Sequence, residues 1–276
     1  MGPQLLDKVV PFGALVDFDL RQSPEWGEEL RRLFGQYGLL VFRGQQLTQA
    51  EQIAFVGEIG PVLDHFSMIN YVSNNRADGY LGDSELNFHS DASFYESPAL
   101  AISLHALEVE EAGNTSTKLA NGILALERLP TSLRRRIDSL SALHLFAVTD
   151  AAFADRQKLD DYPESAPRAV HPVVMRDPMT AKETLYVPRV NTALILGMTE
   201  AESGELLEEL QGYLYDPDNV YDHFWNEGDV IIWSNIGLHH ARGRHGGGVR
   251  TLQRVCSSDA SFEMYESMGG FRSGKQ

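Results

Sequence analysis

The sequence predicts a mainly β fold with helices (α+β), a jelly roll with helical decoration, in one domain spanning residues 1–276. Three observations predict it. Short apolar runs bounded by turn residues recur over residues 61–107, 170–187 and 230–255, as many short strands would. Helical stretches with capping signals stand beside them. No internal repeat, low-complexity segment or domain linker interrupts the chain. Helices beside many short strands suit a β core with helices outside.

In chain order, Ser23 and Pro24 open the first helix as N-cap and N1, and it runs to about Gln36. Gly38 ends it, and residues 39–42 read as a buried strand. Thr48-Gln-Ala-Glu51 is a capping box that opens a second helix towards Glu58. Short strands and turns follow, and residues 66–87, rich in Asn and Gly, read as a mobile loop. Residues 121–136 read as helix interrupted at Pro130. Residues 149–169 are polar and rich in Asp, Ala and Pro, and break the strand pattern before His171. Thr199-Glu-Ala-Glu202 is another capping box, followed by an apolar stripe of Leu206, Leu207 and Leu210. Residues 222–229 read as a turn feeding the apolar strand that ends at Trp233.

Chemistry enters with His89-Ser90-Asp91, answered about 150 residues later by His240. In an extended segment, residues i and i+2 point to one side, so His89 and Asp91 can converge on an ion while Ser90 turns away. Two imidazoles and one carboxylate are the ligand set of a mononuclear non-haem iron site, and they leave three positions open. The last histidine closes the segment Trp233-Ser-Asn-Ile-Gly-Leu-His-His240, and Arg250 and Arg254 follow. These arginines, flanked by Val249, Leu252 and Val255, read as one face of a strand. A buried guanidinium needs an anion, and a dicarboxylate cosubstrate would offer one in bidentate geometry. Only one of the adjacent His239 and His240 can readily face the metal.

On these residues the chain resembles the taurine/2,4-dichlorophenoxyacetate dioxygenase family of iron(II)- and 2-oxoglutarate-dependent oxygenases. The resemblance covers nearly the whole chain. It runs from Tyr37-Gly-Leu-Leu-Val-Phe-Arg43 through Phe88-His-Ser-Asp-Ala-Ser-Phe94 and Gly113-Asn-Thr115 to His171-Pro-Val-Val174. Leu185-Tyr-Val187, Gly197-Met-Thr-Glu200 and the block from Trp233 to Arg254 complete it. It implies a double-stranded β-helix (jelly-roll) core with peripheral helices, and an active-site lid at residues 149–169, where the bare reading is a surface loop. It implies iron held by His89, Asp91 and His240. Thr115 and Arg250 would hold the distal carboxylate of 2-oxoglutarate, with Arg254 nearby, facing cosubstrate or substrate. Fe(II), 2-oxoglutarate and O2 would serve a hydroxylation or oxidative cleavage of a small polar or anionic molecule, giving succinate and CO2. Positions just upstream of the first ligand touch substrate in this family, which makes Glu85 and Asn87 candidates. Tyr71, Arg189 and Asn191 are further ones.

Two other readings stand beside this one. The chain is a desaturase or other tailoring enzyme acting on an amino-acid-derived natural-product intermediate, or a catalytically silent jelly roll that binds metal or 2-oxoglutarate. Asp91 argues against a halogenase, which keeps a small residue there. The chain also departs from the family. Trp-Asp-Asn-Arg commonly precedes the last ligand, whereas this chain has Trp233-Ser-Asn-Ile236, positions that support the strand and its loop. Counting from Trp233 favours His240 as ligand, and counting back from the arginines favours His239. The Gly246-Gly-Gly248 loop can absorb a deletion, so His240 is chosen.

Bulk properties agree. A net charge of −16 argues against nucleic acid or an anionic membrane as partner, since both need a positive footprint. The expected partner is a small-molecule substrate, with a homodimer or homotetramer common among the relatives. The single cysteine, Cys256, excludes an internal disulfide and fits a reducing cytoplasm. The N-terminus has no secretory pattern and no apolar run reaches membrane-span length, so a soluble, cytoplasmic protein is expected. His65, His105, His144, His171, His223 and His245 lack ligand spacing to a carboxylate and read as surface or hydrogen-bonded histidines, with His65 also in reach of substrate.

Overall fold

The computed structural model describes residues 2–62, 69–83, 86–146, 155–156, 159 and 167–259. Strands β1 (Gln4–Lys8) and β2 (Ala14–Asp17) lead through a 3-10 turn (Leu20–Glu25) into α1 (Gly27–Tyr37), β3 (Leu39–Phe42) and α2 (Gln49–Ile59). Next come β4 (Ile69–Ser73), β5 (Gly79–Leu81), β6 (Ala101–Val109), β7 (Thr115–Asn121), α3 (Gly122–Arg128) and α4 (Thr131–Ile137). The chain continues with β8 (Ser141–Leu145), β9 (Arg168–Pro172), β10 (Val174–Arg176), β11 (Glu183–Leu185), β12 (Thr192–Ile195) and α5 (Glu200–Leu214). It closes with β13 (Val220–Phe224), β14 (Val230–Ser234), β15 (Leu238–His245) and β16 (Arg250–Ser257).

The main sheet has eight strands in the order β1-β2-β3-β14-β6-β16-β4-β5. Its central strands are buried on both faces, which is why 39–42 and 230–233 read as unbroken apolar runs. Alternation then divides each strand between two cores. Leu40, Phe42, Val230, Ile232 and Val255 pack outward against Leu30, Phe34, Phe55 and Val56 of α1 and α2. Leu39, Val41, Ile231, Trp233, Leu252 and Cys256 face inward, with Leu119 and Leu238 of β7 and β15. The β13-β7-β15 sheet thus lies over the inner face. A third core joins α3, α4 and α5 to the β12-β8-β9 sheet.

The predicted caps at Thr48 and Thr199 are both reciprocal capping boxes, and Gly38 closes α1 in the left-handed conformation at φ 69°. One helix start moves. Ser23 and Pro24 lie inside the 3-10 turn, whose cap is Asp19, and α1 begins only at Gly27, because Ser23 is buried and its carbonyl accepts Trp26 N–H at 3.0 Å. Residues 220–224 pair with β7 as β13, so the turn into β14 starts later than expected. The expected loop at 66–87 contains β4 and β5. The end of the lid candidate is strand, since Arg168 and Ala169 belong to β9, and most of 149–166 lies outside the described residues. Among the described residues, no helix is long and apolar enough to cross a membrane.

Candidate metal centre

The ligand candidates arrive on two segments gripped together. His89 and His240 exchange both backbone hydrogen bonds, at 2.9 Å each way, as an antiparallel bridge at the edge of β15. That pairing sets the imidazoles side by side, with ring centroids 4.0 Å apart. Asp91 Oδ1 lies 3.4 Å from His89 Nε2 and 3.8 Å from His240 Nε2. The three ligand atoms are all within 4.8 Å of one another, and among the described residues this is the one such group.

The donor set fits a ferrous ion. Cis ligands on an octahedral ion with bonds of roughly 2.1 Å sit roughly 3 Å apart, so Asp91 Oδ1, at 3.4 and 3.8 Å from the two imidazole nitrogens, closes on them by less than about 1 Å to share an ion. His89 Nδ1–H donates to the Asn87 carbonyl at 2.9 Å, which leaves the Nε2 lone pair facing the centre. The His240 ring packs on Trp233, centroids 4.9 Å apart. Arg254 Nη2 donates to Asp91 Oδ2 at 2.5 Å, leaving Oδ1 for a metal. Burial pushes the Asp91 carboxyl up, but the Arg254 guanidinium outweighs it and holds the group well below the usual carboxylate range. Burial, aided by His89, holds the His240 imidazole well below its usual range, so it stays neutral, as a metal ligand must.

The register settles which histidine faces this centre. His239 points to the opposite side of β15, where its Nδ1 accepts from the Tyr215 hydroxyl at 3.1 Å and its ring meets Tyr186 at 5.8 Å. Burial, with His89 adding, takes the His239 imidazole down to about 3.

A second group lies at the other end of the same inner face. Arg250, buried at the start of β16, donates through Nη1 to Thr115 Oγ1 and through Nη2 to the Gly82 carbonyl, both at 3.2 Å. Arg250 and Arg254 share a face with Leu252 and Cys256, so both enter the space between the sheets, as the strand pattern required.

The remaining candidates that the structure describes have other partners. Tyr71 pairs with Gln253 on the outer face of β16, with the Arg76 guanidinium 3.9 Å over its ring; Asn70 shares the face of Arg254 instead. Arg189 is ion-paired with Asp155 and Glu208. Asn191 is buried, its Oδ1 on Ser90 N–H at 3.4 Å and its Nδ2 on the Leu145 carbonyl at 3.3 Å, so it braces the backbone of the triplet. The Asn87 side chain accepts its neighbour's Phe88 N–H. Glu85 and His65 lie outside the described residues.

Of the other histidines, His105 is hydrogen-bonded to the Gln45 carbonyl, His171 to the Ser93 and Tyr95 carbonyls and His223 to the Tyr221 hydroxyl, as the hydrogen-bonded reading expected. His105, His144, His171 and His223 are all buried, and neither ring nitrogen of His144 has a hydrogen-bond partner among the described residues. His144 packs instead between His171 and Tyr186, at 5.1 and 5.3 Å between centroids.

The departure after Trp233 has a structural answer. Ser234 stands where the family pattern has an acid, and its hydroxyl donates to the buried Asp177 carboxylate at 2.7 Å. Asp177 also accepts from Thr180 Oγ1 at 2.7 Å and Met179 N–H at 3.0 Å. The carboxylate thus reaches the turn from the β10–β11 hairpin, a substitution that nothing in the local sequence signals.

Among known proteins, the chain is similar to the alpha-ketoglutarate-dependent 2,4-dichlorophenoxyacetate dioxygenase of Cupriavidus pinatubonensis, 29% identical over 273 residues, covering 88% of this chain and 93% of that one. It is 28% identical over 244 residues to the pentalenolactone F synthase of Streptomyces arenae, covering 78% of this chain and 80% of the synthase. In fold it matches the crystal structure of AAD-2 in complex with Mn(II) and N-oxalylglycine, with a TM-score of 0.79 at 24% identity over 95% of this chain and 99% of that one. The description "Taurine catabolism dioxygenase TauD, TfdA family" matches residues 5–256, a span that carries both histidines, the aspartate and the two inward arginines. On that match the chain belongs to the TauD, TfdA dioxygenase family.

Proposed function

We propose that the protein is an Fe(II)- and 2-oxoglutarate-dependent dioxygenase in which His89, Asp91 and His240 hold the iron. The observation that carries this is the convergence of those three ligand atoms within 4.8 Å at the meeting of two segments far apart in the chain. Thr115 and Arg250 are assigned to the distal carboxylate of 2-oxoglutarate. The planar guanidinium matches a carboxylate in bidentate fashion, and the Thr115 hydroxyl, already accepting from Nη1 at 3.2 Å, keeps a proton to donate. Bound Fe(II) and 2-oxoglutarate supply the oxidative chemistry, in which O2 is consumed and succinate, CO2 and an oxidised substrate are formed. The protein's own part is orientation. His89 is turned by the Asn87 carbonyl, Asp91 is kept ionised and aimed by Arg254, and apolar walls from Trp233, Leu119 and Leu238 exclude water.

The substrate is a small molecule with a polar or anionic group, which Arg254 is placed to attract once a metal shares Asp91. The 2,4-dichlorophenoxyacetate dioxygenase, by its name, acts on such an anion and supports hydroxylation or cleavage. The pentalenolactone F synthase supports the second reading, oxidative tailoring of a natural-product intermediate. A cytoplasmic setting fits the single, buried cysteine.

The test is anaerobic addition of Fe(II) and then 2-oxoglutarate to metal-free protein. A visible charge-transfer band that needs both additions, and succinate release on admitting O2, are expected. Iron binding without a band would remove the 2-oxoglutarate assignment. No iron binding would bring forward the silent jelly-roll reading.

A further inference from the structure

Asn235 occupies the turn between β14 and β15, and every polar group it has is engaged with the loop that carries Asp91. Its side-chain Oδ1 accepts Asp91 N–H at 2.9 Å. Its Nδ2 donates to the Asp91 carbonyl at 2.9 Å and to the Ala99 carbonyl at 2.8 Å. Its backbone N–H donates to the Leu100 carbonyl at 3.0 Å, and its carbonyl accepts the Ser90 hydroxyl at 2.8 Å. Residues 90–91 and 99–100 are the two ends of one loop, which turns through a positive φ of 61° at Ala92. One fully buried residue therefore closes the neck of that loop.

The same turn launches β15 and hence His240. It is itself tied down, because Ser234 Oγ donates to Asp177 at 2.7 Å and accepts Gly237 N–H at 3.2 Å. Two of the three ligand candidates, Asp91 and His240, thus take their relative position from residues 234–237. The chemistry demands an amide. The site presents one N–H and two carbonyls, and only a side chain with one acceptor and two donors satisfies all three. A carboxylate would turn an oxygen onto two carbonyls, and an apolar residue would leave the Asp91 N–H and the Ala99 carbonyl without this partner and the Asp91 carbonyl with only Ala99 N–H at 3.4 Å.

We infer that Asn235 is a positioning residue for the metal centre, setting Asp91 against His240 by closing the Asp91–Ala99 loop. This rests on the reading of His89, Asp91 and His240 as metal ligands, and the test separates the two. Co(II) is titrated into metal-free wild type, Asn235→Ala, Asn235→Asp and Gln52→Ala. For each variant the Kd, the visible Co(II) spectrum and the metal-free Tm are recorded. Gln52 is a matched control, a buried amide that donates to Ser103 Oγ at 3.0 Å and the Gln253 carbonyl at 3.3 Å on the far side of the sheet.

Both Asn235 variants should bind Co(II) roughly 10- to 100-fold more weakly, the usual cost of losing an outer-sphere partner, with an altered spectrum. Gln52→Ala should lower the Tm and leave Kd and spectrum as in wild type. Asn235→Asp, nearly isosteric, carries the test if Asn235→Ala does not fold. A lowered Tm with unchanged Kd and spectrum in the folded Asn235 variants would overturn the inference while the metal site stands. Failure of wild type itself to bind Co(II) would overturn the metal site first.

Discussion

His239 and His240 are neighbours on β15, both buried, and both held neutral by that burial. Their surroundings differ completely. His240 faces the inter-sheet space, where Asp91, His89 and Arg254 meet, and its Nε2 lies 3.8 Å from a carboxylate. His239 faces a pocket of rings, with Tyr215 on its Nδ1 and Tyr186 and His144 beyond. Residue type and burial do not separate them. The parity of the strand does, and it decides which imidazole sees charge and which sees aromatic packing.

The largest effect that would break this comparison is His240→Ala. It should abolish Co(II) and Fe(II) binding in a calorimetric titration, whereas His239→Phe should bind metal near the wild-type level and lose stability instead. Equal loss of metal in both variants would mean the register is wrong. Next, Arg250→Ala should leave metal binding intact and raise the 2-oxoglutarate concentration for half-maximal succinate formation by about 30-fold or more, equivalent to about 2 kcal/mol for a charge partner removed from a buried site. An unchanged requirement would move the cosubstrate elsewhere. Thr115→Val removes the hydroxyl's bonds to the Arg250 guanidinium and the assigned carboxylate but no charge, so the same assay should show a smaller change, roughly 10-fold, the low end for hydrogen bonds to charged groups.

The smallest effect concerns the ring pocket. Burial, with His171 and His239 nearby, holds the His144 imidazole well below its ordinary 6.5. The unfolded chain therefore takes up a proton as pH falls through 6.5 while the folded chain does not. Stability from this residue is present above that value and is lost progressively below it. In metal-free protein, His144→Phe should flatten the fall in denaturant stability between about pH 6.5 and pH 4.5. An unchanged slope would show that His144 is not among the groups responsible.

Much of the site was legible in the sequence because its rules are local. His89 and Asp91 share a face through the two-residue period of extended chain, and Arg250 and Arg254 through the same period doubled. Thr48 and Thr199 cap helices through contacts three residues away. The misreadings came where a longer-range contact overruled a local signal. Ser23-Pro24 is a good helix start, but burial of Ser23 drew it into a 3-10 turn. Tyr71 sits one residue from the position that shares Arg254's face, and a strand's face cannot be known before its register. β8, β12 and β13 are short, and they pair with strands far along the chain.

The sequence by itself determined the donor types, the face that each shares with its near neighbours, and the helix caps. These depend on atoms a few bonds apart along one chain. Only the tertiary structure decided that His240 faces Asp91, that Arg254 takes Asp91's second oxygen, and that Asn235 closes the loop behind it. The Asp91–Asn235 contact spans 144 positions, and Arg254 lies 163 positions from Asp91. Such contacts follow from the registers of β14, β15 and β16 together. A shift of one residue in any of them would turn its side chains to the other face.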